Sequence, residues 1–125
     1  MATVGFIGLG TMGRHMAARL LAAGHVVRGH DARPEPVAEL AARGGVPAAT
    51  VREAAAGADA VILMLPDTPQ VEEVVLGPGG LAEAPPPGGI VVDMSTISAQ
   101  AARRFAAALA ARGVAMLDAP VSGCL

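Results

Sequence analysis

The sequence contains no lysine, tryptophan or tyrosine, and it has one cysteine and two phenylalanines among its 125 residues. A single cysteine excludes an internal disulfide and suits a reducing compartment. All nine basic residues are arginine, the net charge is −2, and aromatic residues make up 2% of the chain. Without a basic stripe or an aromatic platform, the sequence lacks the features of a nucleic-acid-binding surface.

Long hydrophobic runs are also missing. The apolar run at residues 60–65 is far shorter than the roughly 20 residues of a membrane-spanning helix, so we expect no membrane partner. No basic segment precedes an apolar core and a cleavage site at the N-terminus, which predicts a cytoplasmic protein without a signal peptide. Hydrophobic residues make up 53% of the sequence, a share typical of a folded domain. The length predicts one domain over residues 1–125 and leaves no room for a two-domain enzyme.

Glycine, in contrast, is abundant, and Gly8, Gly10 and Gly13 form a G-x-G-x-x-G pattern directly after the apolar run at residues 3–7. A helical pattern starts within the same motif. Gly8 would permit the tight strand-to-helix turn, Gly10 would let a pyrophosphate approach the backbone, and Gly13 would let the helix pack closely on the strand. The positive end of the helix would then face the phosphates. Unless these glycines serve packing alone, the motif predicts a dinucleotide site.

Strand-like and helical patterns alternate along the whole chain. Strands are predicted at residues 3–7, 26–30, 60–65, 90–93 and 114–117, with a short one near Val46. Helices are predicted at residues 12–23 and 34–43 and after the capping residues Thr50, Thr68 and Ser98, and residues 77–89 form a loop around one helical turn. This alternation predicts an α/β domain with a doubly wound parallel sheet of the Rossmann type.

Asp31 follows the second predicted strand and lies 18 residues after Gly13, close to the roughly 20 expected for a carboxylate that binds the adenosine ribose. Its oxygens can accept from both ribose hydroxyls, and its charge would repel a 2′-phosphate, which favours NAD over NADP. Arg33 points the other way, since a guanidinium can bind a phosphate. The alternative is that Asp31 only caps the following turn.

The remaining polar candidates predict no further chemistry. His15, His25 and His30 lack metal-ligand spacing with a cysteine or a paired carboxylate, so we expect no metal site and interpret these residues as solvated or helix-surface histidines. No G-x-S-x-G motif is present, and no nucleophile arrangement is recognisable. Cys124 has no histidine pattern beside it and is interpreted as an incidental thiol.

Four segments together resemble the β-hydroxyacid dehydrogenase family, which includes 3-hydroxyisobutyrate dehydrogenase and tartronate semialdehyde reductase. They are residues 5–13, 64–66, 93–96 and 118–123. The resemblance implies that residues 65 and 66 line the adenosine side of the cofactor and that residue 96 approaches the nicotinamide. The candidate cofactor-binding residues are therefore Gly8, Leu9, Gly10, Thr11, Met12, Gly13, Asp31, Arg33, Met64, Leu65, Pro66 and Thr96.

The same resemblance implies that Ser122 and Gly123 bind a substrate carboxylate. In this family a lysine from a later helix assists proton transfer at the substrate oxygen while hydride passes to or from the nicotinamide. This sequence has no lysine, and Cys124 stands where the family has a second glycine. We therefore expect no catalytic residue within this chain, with the lysine and the helical second domain lying outside it.

The resemblance thus implies an NAD(P)-dependent oxidoreductase that acts on a small 3-hydroxy acid or its semialdehyde, with this chain as its cofactor-binding half and a homo-oligomeric parent enzyme. Two alternatives stay open. The chain could be a dinucleotide-binding module without catalysis of its own. It could also be an imine reductase-like relative, in which another residue holds the place of the lysine.

Overall fold

The computed structural model describes residues 1–119, so Ser122, Gly123 and Cys124 lie outside the described residues. The strands are β1 (Thr3–Ile7), β2 (Val26–His30), β3 (Val46–Pro47), β4 (Ala60–Leu63), β5 (Ile90–Asp93) and β6 (Ala115–Asp118). The helices are α1 (Thr11–Ala22), α2 (Pro34–Ala42), α3 (Val51–Ala55), α4 (Thr68–Leu76) and α5 (Ala99–Ala110). None of these helices is long and apolar enough to cross a membrane.

The six strands form one sheet in the order β3-β2-β1-β4-β5-β6, and every pair is parallel. The prediction of a doubly wound parallel sheet is confirmed. β1 and β4 are neighbours although β2 and β3 come between them in sequence, so the strand order reverses there. Ile7 lies opposite both His30 and Leu63, which brings the carboxyl ends of β1, β2 and β4 to one level. Ligands of such sheets bind at this reversal.

Two hydrophobic clusters cover the faces of the sheet. Successive side chains of a strand point to opposite faces, so Phe6 and Ile7 belong to different clusters. Phe6 packs with Ala17 of α1 and Leu40 of α2. Ile7 packs in the larger cluster, which includes Phe105 of α5. Both phenylalanines of the sequence are fully buried, one in each cluster.

A glycine inside β2 has a packing reason. A Cβ atom at Gly29 would collide with the side chain of Leu40, which lies on this strand from α2. The glycine therefore does not interrupt β2. It leaves room for the Leu40 side chain, which packs against the strand at this position.

The helix caps agree with the sequence in two of three cases. Thr50 accepts a hydrogen bond from the Glu53 N–H at 3.1 Å, and Ser98 accepts one from the Ala101 N–H at 3.1 Å. The prediction that Thr68 caps α4 was wrong. Asp67 is the cap, and its Oδ1 accepts from the Thr68 N–H at 2.8 Å.

Two strands differ in length or position from their predicted bounds. β4 ends at Leu63 rather than at residue 65, because the Leu65 N–H donates to the hydroxyl of Ser95 and leaves the ladder. β6 starts one residue later than predicted, because the Val114 N–H still bonds the Leu109 carbonyl of α5.

Candidate functional site

A cleft of about 1350 Å³ opens at the carboxyl ends of β1, β2 and β4, where the strand order reverses. It continues along α3 and α4 to the loop that follows α4. Six of the predicted cofactor residues line it, namely Gly8, Gly10, Asp31, Arg33, Leu65 and Pro66. The tertiary structure therefore brings together residues from three separate strand ends.

Gly8 and Gly13 are required by the fold itself. Gly8 has a φ of 102°, and a Cβ atom there would collide with the carbonyl oxygen of Met64. A Cβ atom at Gly13 would collide with the carbonyl oxygen of Gly8. The Gly8 N–H donates to the His30 carbonyl at 3.0 Å, which ties the loop to β2. Gly8 therefore allows the tight turn after β1, and Gly13 allows α1 to pack closely against that turn.

At Gly10, in contrast, neither the backbone conformation nor a neighbouring protein atom requires a glycine. Its φ of −69° suits any residue, and the nearest atom to a Cβ placed there would be Nη2 of Arg33, at 3.8 Å. Gly10 is also the N-cap of α1, where no side chain of residues 1–119 bonds the first N–H groups and the first turn carries no acidic residue. Protein packing therefore does not explain why this position is a glycine, whereas close approach of a ligand would.

Asp31 is almost completely surrounded by donors. Oδ2 accepts from the Leu9 N–H at 2.8 Å, and Oδ1 accepts from the Arg33 N–H at 2.9 Å. The guanidinium of Arg33 donates to both oxygens, at 3.1 Å from Nε and 3.3 Å from Nη2. Burial raises the pKa of Asp31, but these hydrogen bonds and the positive charge of Arg33 outweigh it and leave the pKa below its ordinary value.

Other predicted cofactor residues lie outside the lining of the cleft. Leu9 is buried in the core cluster that contains Phe6, and Met64 packs half-buried against that cluster. Thr11 and Met12 are exposed in the first turn of α1, and Thr96 is exposed after β5. The exposed residues stand on the same carboxyl-end edge of the sheet as the cleft.

A buried polar network beneath Leu65 was missed by the sequence reasoning. Asp93 is fully buried, and its Oδ1 accepts from the Ser95 N–H at 2.9 Å. The hydroxyl of Ser95 accepts in turn from the Leu65 N–H at 2.8 Å. Within residues 1–119 the other oxygen of Asp93, Oδ2, has no hydrogen-bond partner. Burial raises the pKa of Asp93, the bonds from Ser95 oppose this, and the nearby charge of Asp118 adds to the rise.

The interpretation of His30 as a solvated or helix-surface histidine was wrong. His30 is half-buried at the end of β2 and lines the cleft. Its Nδ1 lies 3.0 Å from the carbonyl oxygen of Ala48, and since a carbonyl only accepts, Nδ1 carries the proton of this bond. His25 is likewise half-buried and accepts from the Ala2 N–H through Nδ1. The strand-end rule points to His30 from the sequence as well, because it stands with Asp31 and Arg33 at the end of the second predicted strand.

Several cleft residues could be found only from the tertiary structure. They come from the start of α3, from α4 and from the loop after α4, and include Thr50, Arg52, Gln70, Glu73 and Glu83. Among the described residues, no group of three or more His, Cys, Asp or Glu side chains is placed to hold a metal ion.

Comparison with known proteins gives a family match over almost the whole chain. Residues 3–124 match the family described as the NAD binding domain of 6-phosphogluconate dehydrogenase. A relative from Pseudomonas aeruginosa, an NAD-dependent L-serine dehydrogenase, is 46% identical over 123 residues, which are 98% of this chain and 41% of the relative.

Solved structures of similar proteins also match almost the whole chain. The structure of Mycobacterium tuberculosis 3-hydroxyisobutyrate dehydrogenase with L-serine is 44% identical, with a TM-score of 0.89 over 98% of this chain and 41% of that one. A structure of Psf3 in complex with NADP+ and 2-OPP is 35% identical, with a TM-score of 0.89 over 96% of this chain and 43% of that one. The chain thus spans less than half the length of each of these proteins.

Proposed function

This chain belongs to the family of the NAD binding domain of 6-phosphogluconate dehydrogenase, and we propose that its cleft holds NAD as the cofactor-binding part of a β-hydroxyacid dehydrogenase. The observation that carries the proposal is Gly10. It stands at the N-terminus of α1 in a conformation that any residue could adopt, with 3.8 Å between a would-be Cβ and the nearest protein atom. A pyrophosphate lying against the backbone explains this glycine.

The rest of the cleft suits the adenosine half of the cofactor. The pyrophosphate would lie against Gly10 and the first N–H groups of α1, which are uncapped by any described side chain. The ribose would then lie toward Asp31, and the adenine toward the walls formed by Leu65 and Pro66. An apolar wall with a few polar groups is typical of such pockets.

The nicotinamide would extend toward the carboxyl end of β5, where Thr96 is exposed. When bound, the nicotinamide supplies the site that accepts or donates the hydride. Asp93 and Ser95 would act as positioning residues for the adenine wall, because Asp93 accepts from the Ser95 N–H and the Ser95 hydroxyl accepts from the Leu65 N–H.

The substrate we propose is a small 3-hydroxy acid or its semialdehyde. Two relatives support this, since one is named an L-serine dehydrogenase and the other a 3-hydroxyisobutyrate dehydrogenase. Ser122 and Gly123 would bind the carboxylate that such substrates share. The group that moves the substrate proton would come from outside these 125 residues, because the sequence has no lysine. On this proposal the chain binds the cofactor but does not catalyse the reaction alone.

For the cofactor itself we propose NAD in preference to NADP. The negative charge of Asp31, kept ionised by its donors, opposes a 2′-phosphate. NADP stays a candidate because Arg33 lines the same cleft and because Psf3 is similar to this chain and is complexed with NADP+.

The test compares two glycines of the same loop. Gly10→Ala should fold normally, because the added methyl group meets no protein atom within 3.4 Å, and should weaken NAD binding about tenfold or more by occupying the space of the phosphates. Gly13→Ala should instead lower the thermal midpoint, because its methyl group collides with the Gly8 carbonyl. Calorimetric titration with NAD and thermal unfolding measure the two effects.

The outcome that would contradict the proposal is NAD binding by Gly10→Ala at the affinity of the unchanged chain. An equal loss of stability in both variants would also contradict it, since Gly10 would then be a packing residue like Gly13.

A further inference from the structure

The guanidinium of Arg33 lies between Asp31, where we expect the ribose of a nucleotide, and Gly10, where we expect its pyrophosphate. On one side it bridges both oxygens of Asp31, at 3.1 and 3.3 Å. On the other side its Nη2 is the protein atom nearest to the position of a Cβ at Gly10, at 3.8 Å. The same cation therefore lies beside the carboxylate expected to meet the ribose and beside the glycine expected to meet the pyrophosphate.

The hydrogen bonds to Asp31 use its whole capacity as an acceptor. A carboxylate offers about four acceptor positions. Two are taken by the backbone N–H groups of Leu9 and Arg33, and two by the guanidinium. Ribose hydroxyls cannot donate to Asp31 unless one of these donors leaves.

The donor that can leave is the guanidinium. The two backbone donors belong to the glycine loop and to the turn after β2, and the Asp31 side chain is only 9% exposed. The Arg33 side chain is 61% exposed and makes no hydrogen bond to any described residue other than Asp31. Moving it disturbs no packed element.

We propose that Arg33 exchanges partners when a nucleotide binds: its guanidinium leaves the Asp31 carboxylate for a phosphate of the nucleotide, and the vacated acceptor positions of Asp31 receive the ribose hydroxyls. The proposal rests on the proposed function of the cleft. The exchange keeps the arginine paired in both states, because a guanidinium can bind a carboxylate or a phosphate through two donors.

This exchange gives Arg33 opposite effects on two kinds of ligand. A ligand with a ribose but no phosphate must break the ion pair and offers the guanidinium nothing in return. A ligand with both groups breaks the same ion pair but gives the guanidinium a phosphate contact in its place. Removing Arg33 should therefore strengthen binding of the first kind and weaken binding of the second.

The experiment titrates the full 125-residue chain with adenosine, ADP-ribose and 2′-AMP, followed by NMR chemical shifts. In Arg33→Ala, adenosine should bind about two- to fivefold more tightly, since an exposed ion pair of modest strength no longer competes. ADP-ribose should bind about tenfold more weakly, since a charge-assisted contact is lost. If the phosphate partner is the 2′-phosphate of NADP rather than the pyrophosphate, the weakening will be larger for 2′-AMP than for ADP-ribose.

Two control variants separate this effect from a general loss of positive charge. Arg112→Ala removes an exposed arginine in the turn after α5, outside the lining of the cleft, so it should leave binding of both adenosine and ADP-ribose unchanged. Arg33→Lys keeps a charge that can reach a phosphate but cannot span two carboxylate oxygens, so it should restore most of the ADP-ribose affinity.

Parallel changes for adenosine and for both phosphate-bearing ligands, ADP-ribose and 2′-AMP, in Arg33→Ala, or no change for any of the three, would overturn the partner exchange. Failure of the unchanged chain to bind ADP-ribose or NAD would instead overturn the proposed function. The two failures are thus distinguishable in the same set of titrations.

Discussion

Asp31 and Asp93 both stand where a strand of the sheet ends, yet their surroundings move their pKa values in opposite directions. Both are affected by burial, which raises the pKa of a carboxyl. Asp31 also receives a guanidinium and two backbone N–H groups, and its pKa falls below the ordinary 3.8. In the described part of the chain Asp93 receives bonds from Ser95 alone and lies near Asp118, and its pKa rises. The donors supplied by neighbouring loops decide the direction in which each pKa moves.

Asp93 predicts a specific pH dependence of stability. A carboxyl whose pKa is raised by folding favours the folded state at low pH, and this contribution is lost as the pH rises above 3.8 and through the raised value. Asp93→Asn carries no charge and removes this loss. The free energy of unfolding of Asp93→Asn, relative to the unchanged chain, should therefore increase as the pH rises from about 4 through the raised pKa of Asp93.

Denaturant unfolding at several pH values measures this difference. Glu35→Gln, at an exposed carboxylate, controls for the loss of one negative charge. Parallel pH profiles for Asp93→Asn and the unchanged chain would show that burial of Asp93 does not influence stability.

Among the secondary-structure elements, α3 is one whose cap matters for the cleft. The capping sequence predicts the helix, but it does not show that the helix lines the cleft. The helix has five residues and begins after Thr50, whose hydroxyl accepts from the Glu53 N–H. The Glu53 carboxylate reaches back to the Ala49 N–H at 2.8 Å. Such a short helix depends on its cap, and its first residues form one wall of the cleft.

Removal of this cap should be measurable. Thr50→Ala should lower the free energy of unfolding by about 1 kcal/mol, because the Glu53 N–H loses its acceptor. Thr68→Ala is the matched control, since Thr68 is the first residue of α4 and Asp67 is its cap. That control should change stability by no more than about 0.5 kcal/mol. Equal losses, measured by denaturant unfolding, would mean that the Thr50 hydroxyl has no special role.

At the scale of the whole molecule, the strand order creates the site. Residues 8, 31 and 65 are far apart in sequence, and they line one cleft because β2 and β4 flank β1. The resemblance to the β-hydroxyacid dehydrogenases is confirmed by the family match and by the similarity to 3-hydroxyisobutyrate dehydrogenase. The chain covers 41% of that dehydrogenase.

The isolated chain should bind NAD without turning over a substrate. It contains no lysine to assist proton transfer, while the cleft that we assign to the cofactor lies entirely within it. Absorbance of NADH can be followed with 3-hydroxyisobutyrate or L-serine, with Mycobacterium tuberculosis 3-hydroxyisobutyrate dehydrogenase as the positive control. Steady NADH formation that depends on substrate would contradict this expectation and assign the chemistry to residues of this chain.

Much of the fold could be predicted from the sequence because its signals are local. Apolar runs and helical periods placed all six strands and five helices, and Thr50 and Ser98 were recognised as caps by their spacing alone. The bounds that failed depended on distant partners. β4 ends early because Leu65 bonds to Ser95, which lies 30 residues away.

The order of the elements, the parallel sheet and the position of the glycine loop could be predicted without the structure, because they follow from periodicity and from the conformations that glycine permits. Only the tertiary structure separated Gly10 from the two glycines that packing requires, and only it placed the Arg33 guanidinium between Asp31 and Gly10. It also buried Asp93 and brought His30 into the cleft. The physical reason is that these properties depend on which atoms meet across the sheet, and strand order and register decide that.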